Sequence, residues 1–294
     1  MTTRCGFVAL AGRPNAGKST LTNQIVGEKV AIVSDRPQTT RRAIRGVATT
    51  ADWQIVLTDL PGVQRPRDLL TSRMERRVER ELADTDVVLF VINAIEGLGA
   101  GDRFIANLLR GCGSPVVAAV NKIDRARDSA VMEALAAVDA LDLAEAIVPV
   151  SARKGEGVDT LVAELTKRLP EGPMLFPEDS RTDQPFATEL AELVREQVLR
   201  RTREEVPHAV EVQVEDIQRR ADGLLRVSAS IMVETESQKG IIVGRGGGMI
   251  KDIGVAARRE IQKLTGDKVH LDLTAKVKRD WRGDERMLDR LGID

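Results

Sequence analysis

The chain has 294 residues, of which 42% are hydrophobic and 30% charged, with a formal net charge of −1. This composition is typical of a globular protein and excludes a disordered or fibrous one. Aromatic residues make up only 2%, with no tyrosine, which excludes a nucleic-acid site that stacks bases over several rings. There is no apolar stretch of about 18 residues and no cleavable leader pattern, so we expect a cytoplasmic protein.

Five short apolar runs alternate with helical patterns over the first part of the chain. The runs span residues 6–11, 53–58, 87–93, 116–121 and 146–150. Their Val, Ile and Leu residues follow one another without polar alternation, as in strands that are buried on both faces of a parallel sheet. The sequence therefore predicts a doubly wound α/β fold, with its ligands at the carboxyl ends of the strands.

A proline-rich segment follows these elements. Residues 169–185 contain four prolines and no apolar period, so they continue neither a helix nor a strand. We therefore predict a domain at 1–169, a linker at 170–185 and a second, smaller domain at 186–294. Helical spacing in that domain covers 186–203 and 249–264, and strand-like alternation covers 209–214, 224–233 and 268–277. This pattern predicts an α+β fold.

A glycine-rich motif follows the first predicted strand and opens a predicted helix. Residues 12–20 read GRPNAGKST, which fits the phosphate-binding pattern GxxxxGK[ST]. Backbone N–H groups and the positive end of the helix hold phosphate oxygens in such loops. We expect Lys18 to reach the β- and γ-phosphates of a nucleotide and Ser19 to ligate magnesium. The residues predicted to line the nucleotide are Gly12, Arg13, Pro14, Asn15, Ala16, Gly17, Lys18, Ser19 and Thr20.

A second motif selects the base. Asn121, Lys122 and Asp124 belong to the string NKID, which ends a buried strand. The Asp124 carboxylate can accept hydrogen bonds from both N1–H and the exocyclic amine of guanine, a donor pair that adenine lacks. Losing a matched buried hydrogen bond costs about 1 to 3 kcal/mol, so ATP is rejected. Ser151 and Ala152 follow the next strand, where a backbone N–H could reach guanine O6.

Two further segments are placed to sense the terminal phosphate. The string DLPG at 59–62 ends a predicted strand. There Asp59 would hold magnesium through water, and the Gly62 N–H would turn toward the γ-phosphate. Thr39 and Thr40 lie in the polar segment before it, and Thr40 is the favoured residue to close on magnesium. The predicted metal ligands are Ser19, Thr40 and Asp59, and the predicted catalytic residues are Lys18, Asn15 and Gly62.

The charge that stabilises hydrolysis has two candidate sources. Ras-like enzymes orient the attacking water with a glutamine directly after this motif, but the chain has Val63 there. Arg65 and Arg67 are near enough in sequence to approach the phosphates, although an arginine beside a switch more often faces solvent. Asn15 is the other candidate, for a reason that depends on the family resemblance below.

A GxxG loop at Gly244 to Gly247 lies between an apolar run and an amphipathic helix. In a KH domain such a loop joins two helices and clamps a nucleic-acid backbone. Residues 186–294 carry 20 basic and 20 acidic side chains, but residues 239–282 carry 11 basic and only 5 acidic ones. Positive charge is thus concentrated near the loop, as a phosphate-tracking surface requires. We expect bases to be read by an aliphatic groove built from Ile241, Ile242, Val243 and Ile250. The predicted RNA-binding residues are Ile241, Val243, Gly244, Arg245, Gly246, Gly247, Lys251, Lys276, Lys278 and Arg279.

Over nearly the whole chain, these motifs resemble the translation-factor-like GTPases and, within them, the Era family. The strings that carry the resemblance are GRPNAGKST at 12–20, PQTTR at 37–41, D-x-PG at 59–62, NKID at 121–124, SA at 151–152 and the GxxG loop. Leu60 departs from the family, which usually has threonine there, and we interpret it as a change in packing.

The resemblance implies a magnesium-dependent GTPase that binds small-subunit ribosomal RNA near its 3′ end and assists 30S subunit assembly. It implies a cytoplasmic monomer, and it extends the expected location to weak peripheral binding at the inner face of the cell membrane. In related GTPases an asparagine at the position of Asn15 helps to hold a potassium ion beside the phosphates. The alternative is that Asn15 only shapes the loop.

Two other functions are open. One is a GTPase partner of an RNA-modifying enzyme, which would normally bring a folate- or cysteine-dependent catalytic region that the sequence does not show. The other is an RNA-binding protein with a degenerate phosphate loop, which is disfavoured because Lys18, Ser19, Asp59 and Asp124 are all present.

Overall fold

The computed structural model describes residues 3–36, 38–62 and 68–293. By its contacts the chain divides into two compact units. Unit 1 comprises Met1–Val33, Thr40–Arg67 and Thr71–Asp183, and unit 2 comprises Ser34–Thr39, Asp68–Leu70 and Gln184–Asp294. Two short segments from the first part of the chain therefore belong to the second unit.

Unit 1 is built on a six-stranded sheet with the order β2-β3-β1-β4-β5-β6. Neighbouring strands run parallel except β2, which pairs antiparallel with β3. The five predicted strands are present, and β2 is an additional edge strand. The predicted fold class is confirmed. The strands are β1 (Arg4–Ala11), β2 (Ile44–Thr49), β3 (Trp53–Asp59), β4 (Val87–Asn93), β5 (Val116–Asn121) and β6 (Ala146–Val150).

Helices cover both faces of this sheet, which explains why its strands are continuously apolar. On one face Leu10 and Leu89 pack with Leu161 of α5, and on the other Phe90 packs with Ile105 of α3. Such double coverage buries alternate side chains of each strand in two separate cores. The helices are α1 (Lys18–Val26), α2 (Leu69–Ala83), α3 (Ala100–Leu109), α4 (Asp128–Asp139) and α5 (Val158–Thr166).

The proline-rich segment lies on unit 1 over most of its length. The Cys5 N–H donates to the Pro170 carbonyl at 3.0 Å, and the Gln54 carboxamide accepts from the backbone N–H of Leu175 at 2.8 Å. Further along, the Val47 N–H of edge strand β2 donates to the Arg181 carbonyl at 2.9 Å. The chain leaves unit 1 after residue 183.

Unit 2 contains a three-stranded sheet with the order β7-β8-β9, in which β8 is antiparallel to β7 and parallel to β9. Leu190 and Leu193 of α6 pack with Val227 of β8 and Ile261 of α9 in its core. The predicted α+β fold is confirmed. Its elements are α6 (Phe186–Arg201), α7 (Val206–Ala209), β7 (Glu211–Arg219), β8 (Leu224–Val233), α8 (Glu236–Val243), α9 (Gly248–Thr265), β9 (Lys268–Val277) and α10 (Glu285–Arg290).

Across 3–36, 38–62 and 68–293, no helix combines the length and the apolar character needed to cross a lipid bilayer.

Candidate nucleotide and RNA sites

The loop between β1 and α1 depends on two glycines. Gly17 caps α1 at φ 102°, and a Cβ there would lie 2.2 Å from Nδ2 of Asn121. A Cβ on Gly12 would lie 2.5 Å from the Val91 carbonyl oxygen. Any larger residue at either position would displace the loop, which holds the buried Lys18 ammonium against the carbonyls of Gly12 at 3.0 Å and Arg13 at 3.1 Å.

Three side-chain oxygens meet next to this loop. The Ser19 hydroxyl donates to Asp59 Oδ2 at 2.6 Å and lies 3.1 Å from the Thr40 hydroxyl, which in turn donates to Asp59 Oδ2 at 3.2 Å. Asp59 Oδ1 is buried and has no hydrogen-bond partner in the described part of the chain. Hydroxyl and carboxylate oxygens are the ligands magnesium prefers, so the set fits Mg²⁺. Thr39 is not part of it, because its hydroxyl donates to the Arg36 carbonyl at 2.6 Å.

Burial acts against both charges in this site. It lowers the pKa of Lys18 and raises the pKa of Asp59, and the attraction between these two groups only partly opposes each shift. A polyphosphate beside Lys18 would favour the charged ammonium, and a divalent cation beside Asp59 would favour the carboxylate. The electrostatics of the site therefore match an anionic nucleotide together with a metal ion.

Asn121 joins the base-binding loop to the phosphate-binding loop. Its Nδ2 donates to the Ala16 carbonyl at 2.9 Å, and its Oδ1 accepts from the backbone N–H groups of Lys122 at 2.7 Å and Ala152 at 3.0 Å. The asparagine is 1% exposed. Asn121 therefore fixes three segments of the site from the inside, and the Ala152 N–H predicted to reach guanine O6 donates to it here.

Asp124 lies at the mouth of the base-binding loop. Its Oδ1 accepts from the Ser151 hydroxyl at 2.8 Å, and the side chain is partly exposed. Lys122 takes a left-handed backbone conformation at φ 70°, and its ammonium donates to the Asn15 carbonyl at 2.6 Å. The Lys122 side chain thus joins the base-binding loop to the phosphate-binding loop.

The remaining predicted residues of the loop have different surroundings. The Arg13 guanidinium forms an ion pair at 2.8 Å with the buried Asp102 of α3. Gly62 lies close to the loop, since a Cβ on it would be 2.8 Å from the Pro14 nitrogen. Asn15 is exposed and has φ 63°, and Thr20 is half-buried in α1. Val63, Arg65 and Arg67 lie outside the described residues.

The GxxG loop of unit 2 joins α8 to α9 as expected for a KH domain. Gly244 has φ 72°, and a Cβ there would lie 2.6 Å from Cβ of Met249. Gly246 and Gly247 also have positive φ, and a Cβ added to either would have no atom within 4 Å. Arg245 is exposed. The loop therefore presents glycine backbone and a single guanidinium to solvent.

A cavity of about 290 Å³ with both polar and apolar lining lies between α9 and β9. Its walls include Ile250, Val255 and Leu271, and its rim carries Lys251, Arg258 and His270, with Gly254 and Leu273 completing the lining. Of these residues, Ile250 and Lys251 were predicted from the sequence to contact RNA, whereas Arg258 and His270 were not. Helical periodicity could have predicted Arg258, because it is seven residues after Lys251 and lies on the same face of α9.

The structure does not bring all predicted RNA-binding residues together. Ile242 is fully buried in the core. The expectation that Ile242 lines a groove together with Ile241 and Val243 is therefore wrong. Ile241 is 43% exposed. Lys276 forms an ion pair with Glu215 of β7 and lies on the other face of the sheet from Leu271 and Leu273, since side chains alternate along β9. Lys278 and Arg279 are exposed beyond the end of β9.

A phosphate loop, a hydroxyl and carboxylate set for magnesium and an NKID loop at one sheet edge define a P-loop GTPase. A family model described as 50S ribosome-binding GTPase matches residues 7–122, and a KH domain model matches residues 205–282. GTPase Era of Lactobacillus helveticus is 44% identical over 291 residues, covering 99% of this chain and 96% of the relative. GTPase Era of Geobacter metallireducens is 46% identical over 290 residues, covering 98% and 97%. The chain belongs to the GTPase Era family.

Two solved structures are similar over 99% of each chain. A variant of Aquifex aeolicus Era bound to GDP and AlF₄⁻ has a TM-score of 0.95 at 37% identity. Era in complex with MgGDPNP and nucleotides 1506–1542 of 16S ribosomal RNA has a TM-score of 0.94 at 37% identity. GTP hydrolysis with magnesium is thus the activity of this chain.

Proposed function

We propose that this GTPase binds the 3′ region of small-subunit ribosomal RNA through unit 2 and assists assembly of the small subunit. The observation that carries the proposal is the GxxG loop next to a cavity with a basic rim, on the same chain as a GTPase site. The Era complex with nucleotides 1506–1542 of 16S ribosomal RNA supports it. No comparison favours the alternative of a partner for an RNA-modifying enzyme. We propose a cytoplasmic monomer, with weak binding to the inner face of the membrane as a further expectation of the resemblance.

Each part of the nucleotide site has a defined task. Lys18 would leave the loop carbonyls and donate to the β- and γ-phosphates, while N–H groups at the start of α1 hold the same oxygens. Ser19, Thr40 and Asp59 would hold magnesium, which neutralises charge on the phosphates when bound. The Gly62 N–H would approach the γ-phosphate from a backbone already packed against Pro14.

Unit 2 would hold RNA in two ways. The exposed glycines and Arg245 would take phosphate oxygens, because no side chain obstructs close approach at Gly246 or Gly247. Unstacked bases would enter the cavity between α9 and β9, where Arg258 and His270 can donate to base edges. Lys251 would meet the backbone at the rim. The chain has few aromatic side chains for stacking, and this arrangement would use a pocket of aliphatic and basic side chains instead.

Identifying the bound RNA tests the proposal. The full chain, loaded with GDPNP and Mg²⁺, is crosslinked in a cell lysate, and the attached RNA is sequenced. We expect fragments from the 3′ end of small-subunit ribosomal RNA to be enriched over all other RNA, and the enrichment to fall when Arg258 is replaced by alanine. Enrichment of transfer RNA or another class would overturn the proposed partner.

A potassium ion is the proposed positive charge for hydrolysis. Asn15 lies in the phosphate loop and is exposed at φ 63°, which is compatible with a side chain that helps to hold a monovalent cation beside the phosphates. Hydrolysis should be faster in potassium chloride than in sodium chloride at equal ionic strength, and Asn15→Ala should remove the difference. Steady-state phosphate release measures both rates. Equal rates in the two salts would exclude the ion and make Arg65 and Arg67 the next residues to replace.

Asp124 should select the base. Asp124→Asn replaces an acceptor of two guanine N–H donors by a group that also donates, so we expect GTP affinity to fall by roughly tenfold or more and xanthosine triphosphate affinity to rise. Competition against a fluorescent nucleotide measures both. The nearby Asp128→Asn variant, which begins α4, is the matched control and should change neither affinity. Unchanged GTP affinity in the first variant would contradict the assignment.

A further inference from the structure

Helix α6 and the start of strand β7 together carry a buried cluster of charged side chains that neither proposed site uses. The side chains of Arg195, Glu192 and Glu211 are 1%, 6% and 0% exposed. Arg195 Nη2 lies 2.6 Å from Glu192 Oε2, and its Nε lies 3.8 Å from Glu211 Oε1. Burial alone would lower the pKa of Arg195, but Glu192 and Glu211 outweigh it and the pKa is raised. Burying such a group is costly unless well-aligned partners and hydrogen bonds offset its desolvation.

The same guanidinium also holds a segment from the first part of the chain. Arg195 Nη2 donates to the Thr39 carbonyl oxygen. Arg36 Nη2 donates to the Thr202 carbonyl oxygen at 3.0 Å, and Nδ1 of His208 lies 3.2 Å from the Gln38 carboxamide oxygen. These contacts lie within unit 2, to which Ser34–Thr39 belongs. The segment is thus fixed at three of its residues by α6, by Thr202 directly after that helix and by α7.

This segment ends directly before a proposed metal ligand. Thr39 is joined by its peptide bond to Thr40, and consecutive Cα atoms are only about 3.8 Å apart. The Thr40 hydroxyl lies 3.1 Å from Ser19 and 3.2 Å from Asp59. A donor that holds the Thr39 carbonyl therefore restricts where the Thr40 hydroxyl can lie.

We infer that Arg195, a residue of the RNA-binding unit, is a positioning residue of the GTPase site: it holds the Thr39 carbonyl and so keeps Thr40 ready to bind magnesium. Arg36 supports it through Thr202. The inference rests on the proposed role of Thr40 as a metal ligand. Thr39, the residue directly before this ligand, belongs to unit 2, which would bind RNA.

A simpler role for Arg195 would be to neutralise the buried glutamates. Arg195→Lys separates the two roles, because lysine keeps the positive charge but replaces a rigid fork of donors by one ammonium nitrogen. The ammonium should remain with Glu192 and leave the Thr39 carbonyl. Arg36→Ala weakens the same segment without altering the buried cluster. Arg200→Ala is the matched control, since Arg200 pairs with Glu196 on the same helix and is 49% exposed.

Hydrogen exchange of the full chain, free of nucleotide and magnesium, reads the position of the segment directly. We expect amides of residues 34–42 to exchange roughly tenfold faster in Arg195→Lys and Arg36→Ala, corresponding to the loss of one charge-assisted hydrogen bond. Arg200→Ala should exchange as the unaltered chain does. Unchanged protection of α6 and β8 in the same spectra shows that unit 2 stays folded.

The second readout is the magnesium concentration that half-saturates tight binding of GDPNP. It should rise by roughly tenfold in both variants, while GDP affinity without magnesium stays within about twofold. Normal exchange of 34–42 in a folded Arg195→Lys chain overturns the inference. Faster exchange with an unchanged magnesium requirement would instead contradict Thr40 as a metal ligand, so the two failures are distinguishable.

Discussion

Lys18→Ala is expected to lower GTP hydrolysis by at least about a hundredfold, because it removes the cation that would meet the β- and γ-phosphates where charge develops. The ammonium is buried and donates to the carbonyls of Gly12 and Arg13. It can therefore turn to the phosphates without breaking a close ion pair. Only a longer-range attraction to Asp59 opposes this movement. Phosphate release under saturating GTP measures the loss. RNA binding by unit 2 should persist.

Lys154→Ala is the control for that variant. Lys154 is an exposed lysine of unit 1 that pairs with Glu156 at 3.6 Å, and an exposed pair of this kind contributes little to stability. Its removal should leave hydrolysis within about twofold. Hydrolysis by Lys18→Ala at more than roughly a third of the unaltered rate would show that the loop does not act through this side chain.

The sequence predicted that the nucleotide motifs would lie near one another because each motif directly follows one of the parallel strands of a single sheet. Lys18 comes shortly after β1, Asp59 ends β3 and Asn121 ends β5, and the carboxyl ends of parallel strands meet at one edge. Strand β2 was missed since Arg45 and Gly46 interrupt its apolar run. It is an edge strand, and an edge strand needs less apolar surface than the four strands inside the sheet.

The cluster on α6 could not be predicted from spacing. Glu192, Arg195 and Glu196 have the three- and four-residue separations of an ion-paired, solvent-facing helix surface. In the structure every residue from Leu190 to Leu199 is buried, because other segments of unit 2 surround the helix. Nothing in the sequence near Ser34–Thr39 indicates that this segment belongs to unit 2. Contacts between residues that are 156 to 170 apart in the chain follow from tertiary packing, not from local pattern.

The RNA groove was misplaced for a related reason. The run at 241–243 is apolar, but a helix turns successive residues to different sides, so Ile242 enters the core while Ile241 is exposed. Only residues that share a helix face can line one groove. Lys251, Gly254, Val255 and Arg258 of α9 satisfy that condition and line the cavity.

Replacing Arg245 and Gly246 together by aspartate is expected to abolish measurable binding of a small-subunit RNA 3′ fragment, with a loss of about a hundredfold or more at low salt. The loop would then repel the phosphates it is proposed to clamp. The change should not disturb folding: Arg245 is exposed, Gly246 has φ 59° with open space around it, and aspartate tolerates that backbone conformation better than most residues.

The same double variant tests whether RNA and nucleotide are linked. If segment 34–39 ties the metal ligand Thr40 to the RNA-binding unit, RNA should bind more tightly with GDPNP and Mg²⁺ than with GDP, and linkage requires RNA to favour the GDPNP state equally. RNA should also raise the hydrolysis rate, and the aspartate variant should lose that increase. Arg245→Asn with Gly246→Asn, which has similar backbone tolerance but no negative charge, should bind RNA more tightly than the aspartate variant. Titrations at one fixed salt concentration measure the RNA affinity in each nucleotide state. Equal RNA affinity of the unaltered chain in both states would show that the two sites act independently.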